Sequence, residues 1–368
     1  MGYVAIKGGE SAIEGAESVL EFLRSQHADQ ESPLSASQVQ HQMHYLHSQV
    51  ISEGALYDPE LAALAIKQSL GDPLEAAFLL RAHRSTRPRV METEPHDTSG
   101  LRLIRRISAA FKDVPGGQSL GPTPDYTHRL FRFELLEEDD QAFKEQLNQW
   151  LSLVAELDVE SAPSSVPKVI DFLRQQGLLA APENSGGQRP PFDITRQPLV
   201  FPLPRSARLA MMARSHAGSI LAMAYSSMRG YGDVHPTVAE LRVGYLPVRV
   251  PHPITGEPTE VGEVLMTECE VVTMFQAQKD GPPVFGLGYG ACFGHNEAKA
   301  ISMAILDRAM QNGEENGISH PSEDPEFVLM HIDGVESMGF CVHYKMPHYV
   351  TFQSDLDRLR AAQNVQHE

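Results

Sequence analysis

Helical and strand periodicities occupy different parts of this chain, and that separation limits its architecture more than any other feature. In the first hundred residues apolar positions recur at helical spacing, as in Ile13, Ala16, Leu20 and Leu23. Ser35 and Gln38 form a capping-box signature, followed by the stripe Val39, Met43, Leu46, Val50. Asp58-Pro59 and Asp72-Pro73 each read as a helix start, because Asp accepts from free backbone N–H groups and Pro suits the first helical position. Gly71 fits the stop between them. From residue 238 onward strand patterns dominate, at 239–250, 261–275 and 284–292. The regular β-α alternation of a doubly wound sheet is missing. The fold class expected is α+β: a helical N-terminal domain over residues 1–95, then a mixed α/β domain over 96–368 with irregular, mostly antiparallel sheets.

Finer patterns fill in the rest. Partial alternation predicts strands at 101–114 and 126–135, around a Gly/Pro-rich loop from Pro115 to Pro122. An acidic helix is expected over 138–158, with Phe143, Leu147, Leu151 and Val154 on one stripe, and a short one from Val166 to Gln176, ending at Gly177. The stretch 181–204 is dense in Pro and Gly and reads as a linker or long surface loop. Residues 205–228 read as helix with a break near Gly218. Then come a helix from Asn296 to Met310, strands at 326–332 and 339–345, and a last helix at 353–363.

Charge and cysteine usage exclude several classes. Acidic residues outnumber basic ones 48 to 30 in 368 residues, a formal charge of −18. That balance disfavours nucleic acid and anionic membranes, which need a basic footprint. The three cysteines, Cys269, Cys292 and Cys341, include no CxxC spacing, so a disulfide framework is not expected and a reducing cytosol fits. The N-terminus lacks a basic region followed by an apolar one. The apolar run Ile220–Tyr225 is far short of the ~20 residues of a membrane helix. The expectation is a soluble cytoplasmic protein.

Gly117-Gln-Ser119-Leu-Gly121 matches the nucleophile-elbow pattern, but Gly121-Pro122-Thr123-Pro124 forbids the helix that must follow the serine. Gly288, Gly290 and Gly294 lie between a strand and a helix, with the third glycine one place late for a dinucleotide fingerprint. They read more simply as a tight turn. On a strand Cys341 and His343 would share a face, Pro347 would end it, and His348 could fold back. Two imidazoles five residues apart can converge on one zinc-like ion, with further ligands from Cys341, His331 or elsewhere. The alternative is a pair of surface histidines. Glu263, Glu268 and Glu270 are proton-transfer candidates. Glu268 and Glu270 share a strand face and could hold one pKa high, though the simpler reading is a solvated face. Arg105, Arg106, Lys112, Arg129, Arg132 and Arg229 (beside Gly230-Tyr231-Gly232) bracket glycine-rich turns, as a phosphate pocket would, or pair with surface carboxylates.

Long peptides matched in order are more specific than any of these motifs. YVAIKGGE at 3–10, ELAALAIKQ at 60–68, RRISAAFKDVPGGQ at 105–118, LGPTPDYTHRL at 120–130, AYSSMRGYGDVHP at 224–236, VGEVLMTECEVV at 261–272 and GFCVHYKMPHYVTFQ at 339–353 resemble the PhnI family, the I subunit of the bacterial carbon–phosphorus lyase core complex. The resemblance implies an enzyme subunit that acts with the G and H subunits and the ATPase-like L subunit. In that system ribose 5-triphosphate passes from ATP to an alkylphosphonate as adenine leaves. The I subunit alone is associated with nucleosidase activity, in which water replaces the phosphonate. It also implies a symmetric core of G, H, I and J subunits, with K and L as further partners. The family's two zinc-binding histidines, near the J subunit, fall on His343 and His348. Cys341 lies outside that pattern.

Such chemistry builds positive charge on the ribose and negative charge on the departing base. Its triphosphate needs a basic, glycine-lined cradle or a metal ion such as magnesium. Arg105, Lys112, Gly116, Gly117 and Arg129 are the cradle candidates, and Asp125, His128 and Glu268 the acid–base candidates. Two competing readings are a scaffold that lends two histidines to an interface zinc, and a stand-alone metal hydrolase.

Overall fold

A computed structural model describes residues 9–26, 32–156, 166–180, 190–230, 236–278, 281–346 and 348–365. The element order is α+β, with helices leading and the sheet strands concentrated in the second half. The first helices are α1 (Gly9–Arg24), α2 (Ala36–Gln42), α3 (His44–Gly54), α4 (Pro59–Gln68) and α5 (Pro73–Ser85). Their starts follow the side-chain chemistry. Ser35 Oγ accepts from Gln38 N–H while Gln38 Oε1 accepts from Ser35 N–H, a reciprocal box. Asp58 and Asp72 cap α4 and α5, each followed by Pro. Gly71 takes φ +88°, a left-handed value that suits glycine at a helix stop. The stripe from Val39 to Val50 is divided at Met43, whose backbone leaves the helical region between α2 and α3.

Next come β1 (Arg102–Ile107), α6 (Asp140–Glu156), α7 (Val169–Gln175), α8 (Arg205–Ala213) and α9 (Ala217–Gly230). The break between the last two falls at Arg214–His216, just before Gly218. Then β2 (Thr237–Pro251), β3 (Pro258–Gln278) and β4 (Gly281–Phe293) pair antiparallel in the order β1-β2-β3-β4. The chain continues through α10 (Glu297–Asn316), α11 (Pro325–Met330), α12 (Gly334–Val342) and α13 (Tyr349–Val365).

Three sequence expectations are corrected. Residues 126–135 hold turns and a short 3-10 helix, not a strand; Leu130, Phe131 and Phe133 stand exposed, and β1 pairs with β2 and bridges Ser119 through Arg106. Residues 326–332 and 339–345 are helical in place of the expected strands. Asp324 accepts from Glu326 and Phe327 N–H, and Asp333 from Val335 and Glu336 N–H, so aspartate caps override the short apolar alternation. Cys341 and His343 therefore share no strand face. Residues 181–189, Tyr231, Gly232 and Pro347 lie outside the described residues.

One face of the sheet packs on α10. Leu241, Cys269, Val271 and Cys292 meet Ala300, Met303, Ala304 and Leu306 in the largest apolar cluster. Gly288 and Gly290 make this contact possible: a Cβ at either would run into the carbonyl oxygen of Ala304 or Ala300. The tight-turn reading of these glycines gives way to close strand–helix approach. A second cluster joins α2, α3, α4 and α5, with Phe293 of β4 packed against it. The helical unit is thus seated on the end of the sheet. Substituting Gly288→Ala should lower stability by about 1–3 kcal/mol or more by overpacking. A melting temperature within a degree of the parent's would show that strand and helix can move apart.

Candidate active site at the junction of sheet and helical unit

The other face of the sheet is charged. Strand alternation aims Glu240 and Arg242 of β2 away from Leu241 and Val243, and Glu268 and Glu270 of β3 away from Cys269 and Val271. Register sets Arg242 opposite Glu268 and Glu240 opposite Glu270. Arg106 of β1 pairs with Glu240, and Arg242 with Glu268. Lys168, just before α7, lies 3.1 Å from both Glu268 and Glu270. Arg106 also donates to the carbonyls of Pro115, Gly117 and Pro167, tying the glycine turn to the sheet. These groups are not a solvated face: Glu268 and Glu270 are 1% and 2% exposed. Burial alone would raise Glu268, but Arg242 and Lys168 outweigh it and hold the carboxyl below its usual range. Burial pushes Glu270 up to about 7, with Glu268 adding to the rise and Lys168 opposing it. Its Oε2 is buried with no hydrogen-bond partner among the described residues. Of the two carboxyls the raised one is therefore Glu270, chiefly by burial.

Arg105, next along β1, points the other way and opens a different cluster. Its guanidinium pairs with Asp125 and lies 2.8 Å from Glu297 at the start of α10. Glu297 Oε1 is 2.6 Å from Nε2 of His295, whose Nδ1 is 3.3 Å from Nε2 of His44 at the start of α3. The Tyr45 ring stands 5.2 Å from His295 and 5.3 Å from His44. Its phenol is raised by burial and by the charges of Glu297 and Asp125, with Arg105 opposing. Arg105 and His295 are buried, while His44, Tyr45 and Asp125 are exposed. Backbone geometry fixes this corner. Thr267 Oγ donates to Gly294 O and accepts from Asn296 N–H, and Asn296 Nδ2 donates to Ser48 O. Gly294 takes φ +75° with Ser48 against it, a place that excludes a side chain.

The structure thus brings Arg105 and Asp125 together. Lys112, His128 and Arg129 are exposed along the loop after β1, and Arg129 adopts a left-handed φ of 54°, uncommon for a non-glycine residue. Gly116 and Gly117 form the turn that faces Arg106 and Val166. Glu268 lies on the charged sheet face with Arg106 and Glu240, apart from the Arg105 group. His44, Tyr45, His295 and Glu297 escaped sequence reasoning. His44 and His295 are 251 residues apart, and only the Gly294 turn before a helix marked the place.

His343 and His348 sit in the exposed segment between α12 and α13, with ring centroids 5.4 Å apart. His343 Nδ1 contacts the Phe340 carbonyl and His348 Nδ1 is 2.6 Å from the Met346 carbonyl. A carbonyl only accepts, so each Nδ1 carries a proton, and in the neutral ring each Nε2 keeps its lone pair. That tautomer suits a metal ligand and fits zinc. Among the described residues no group of three or more His, Cys, Asp and Glu side chains is arranged for a metal. His331 contacts Phe327, and Cys341 is an exposed free thiol. No described helix is long and apolar enough to cross a membrane.

An antiparallel sheet seated on a helical unit, with buried ion pairs and a histidine–carboxylate corner, defines an α+β protein with enzyme-like polar sites. Comparison with known proteins gives the family. The family described as "Bacterial phosphonate metabolism protein (PhnI)" matches residues 2–366. The putative C-P lyase subunit protein HtxH of Stutzerimonas stutzeri is 63% identical over 99% of this chain and 96% of its own length. The alpha-D-ribose 1-methylphosphonate 5-triphosphate synthase subunit PhnI of Escherichia coli (strain K12) is 47% identical over 99% of both chains. Its namesake from Rhizobium meliloti (strain 1021) is 41% identical over 97% of this chain and 94% of its own. The chain belongs to the PhnI family of phosphonate metabolism proteins.

The raised Glu270 carboxyl gives a stability signature. A folded-state value above the unfolded one means the folded chain binds the proton more tightly. That contribution is complete below the ordinary carboxyl range and is lost as pH rises through about 7. Glu270→Gln should therefore melt higher than the parent at pH 8.5, with the advantage vanishing near pH 4. An advantage of equal size at both pH values would count against a raised carboxyl.

Proposed function

We propose that this chain is the ribosyl-transferring subunit of a carbon–phosphorus lyase system. It would move ribose 5-triphosphate from ATP to an alkylphosphonate with release of adenine, or to water in a nucleosidase side reaction. The observation that carries this reading is the Arg105–Asp125–Glu297–His295–His44 corner, in a chain related over its whole length to synthase subunits. Severing an N-glycosidic bond needs a carboxylate near the developing ribosyl cation and a group that moves a proton. Asp125 is exposed and held by Arg105, which suits the first role. His128 is a further acid–base candidate on the same loop. Glu268, ionised and buried, would act by holding Arg242 and Lys168 in place. Lys112 and Arg129 would be the exposed charges for the triphosphate or its magnesium complex, with Gly116 and Gly117 as the glycine turn on the same loop and Arg105 holding Asp125.

His343 and His348 would hold zinc through Nε2, completed by ligands from a partner subunit or water. When bound, the ion would supply a fixed positive charge at a subunit contact. The partners in this reading are the G, H and J subunits, a second copy of this chain in a symmetric core, and the ATPase-like K and L subunits, all in the cytoplasm. One observation favours a scaffold role beside the enzymatic one: Phe340, Tyr344, Tyr349, Val350 and Phe352 are all exposed around the histidine pair. A face of that kind is suited to a protein contact.

Adenine release separates the two. Purified complex incubated with ATP and methylphosphonate should liberate adenine; none from well-folded complex leaves the scaffold. Arg129→Ala should weaken ATP binding about tenfold or more in calorimetry, the loss of one charged contact. Unchanged affinity would remove Arg129 from the cradle. His343→Ala and His348→Ala should each lose zinc from the purified complex by elemental analysis, with the fold unchanged by circular dichroism.

A further inference from the structure

Proton positions in the corner can be worked out from its hydrogen bonds. Burial alone would raise Glu297, but His295 and Arg105 outweigh it, so the carboxylate is ionised and only accepts. His295 Nε2 must then carry a proton between them, and in the neutral ring this leaves His295 Nδ1 as an acceptor. His44 Nε2 is therefore the donor in the next link, and Nδ1 of a neutral His44 keeps a lone pair. The result is a carboxylate, a buried imidazole and an exposed imidazole in series, the last beside the aromatic face of Tyr45.

Every charged group in the corner bears on how this series behaves. His47 on the same helix and His295 from the α10 side face His44, and together with burial, the largest cause, they push its pKa below the usual histidine value. Glu297 lies beyond His295, Arg105 bridges Glu297 to Asp125, and Asp125 acts on Tyr45. At neutral pH His44 is thus an uncharged base at the surface. The Glu297–His295 pair orients its ring through the Nε2 contact.

We propose that His44 is the proton-transferring residue of adenine release, with His295 and Glu297 as its positioning residues and Tyr45 as a wall for the purine. This rests on the ribosyl-transfer reading given above. In the nucleosidase direction, His44 Nδ1 takes a proton from water as the oxygen bonds to C1′. The C1′–N9 bond breaks and its electron pair leaves with adenine. The imidazolium then returns its proton to the departing base, so the step is proton-neutral and His44 ends as it began. Asp125 faces the positive charge that builds on the ribose. With an alkylphosphonate as nucleophile, its acidic hydroxyl takes the place of water.

The test measures adenine release from ATP by the purified complex across pH 5 to 9. His44 is exposed, so His44→Gln should fold normally, and kcat should fall about a hundredfold with KM within threefold. The parent's acid limb lies below pH 6.5 and should vanish in this variant. In His295→Gln the limb should move to higher pH, because a group that lowers His44 is gone. A merely structural role would not produce that shift. If His295→Gln melts early, the His44→Gln profile decides alone. Adenine release by His44→Gln within twofold of the parent at every pH would overturn the assignment while leaving ribosyl transfer standing. No adenine from the parent complex would remove ribosyl transfer itself, and this assignment with it.

Discussion

Charge pairing across the sheet is the constraint on which the rest of the molecule depends. Both faces of this sheet are covered, one by α10 and the other by Lys168, α7 and the loop after β1. Apolar packing serves the first face. The second buries Arg106, Glu240, Arg242, Glu268 and Glu270 together. Removing such ions from water costs several kcal/mol each unless partners are in place. Register supplies them: Arg242 stands opposite Glu268, and Arg106 reaches Glu240 across the β1–β2 pair. A one-residue slip of any strand would send these charges to the apolar side. Ion pairing therefore specifies register here at least as firmly as the hydrophobic pattern does.

The same device fixes the loop that carries most of the candidate ligand groups. Arg106 donates to carbonyls at 115, 117 and 167, so the Gly/Pro-rich stretch is anchored beneath while Lys112 and Arg129 stay exposed. Arg105, one residue earlier, faces the opposite way and anchors Asp125 against Glu297. Two adjacent arginines on β1 thus control two different environments. At the other end of the corner, Lys299 donates to Ser52 and Arg81 pairs with Asp333, which hold the helical unit against α10 and the start of α12. His44 meets His295 because of that seating, so the site depends on the docking of both parts.

Local signals were legible where one residue decides the outcome. Ser35, Asp58 and Asp72 cap helices as their sequence neighbours indicate, and the long strands from 237 to 293 follow their alternation. Asp324-Pro325 and Asp333-Gly334 carry the same cap chemistry, and the segments they open are helical although a few apolar residues alternate there. Period alone separates helix from strand poorly over six or seven residues. Glu268 and Glu270 were placed on one face correctly but assigned to solvent. Their burial depends on Arg106, Lys168 and Arg242, which arrive from distant parts of the chain. His44 and His295 could not be paired from spacing at all.

The two histidine pairs differ in how complete they are, and this bears on how such a subunit would divide its work. His44 and His295 are ordered by groups of the same chain, with Glu297 behind them and Arg105 behind that. Their proton positions follow from contacts already made. His343 and His348 are oriented only by carbonyls of their own segment, on an exposed surface lined with aromatic side chains. Two imidazoles leave a tetrahedral ion half-coordinated. A proton-transfer site can therefore be preformed in one chain, whereas a metal site here needs donors from outside the described residues. The apolar surface around the second pair is of the kind that marks a protein contact.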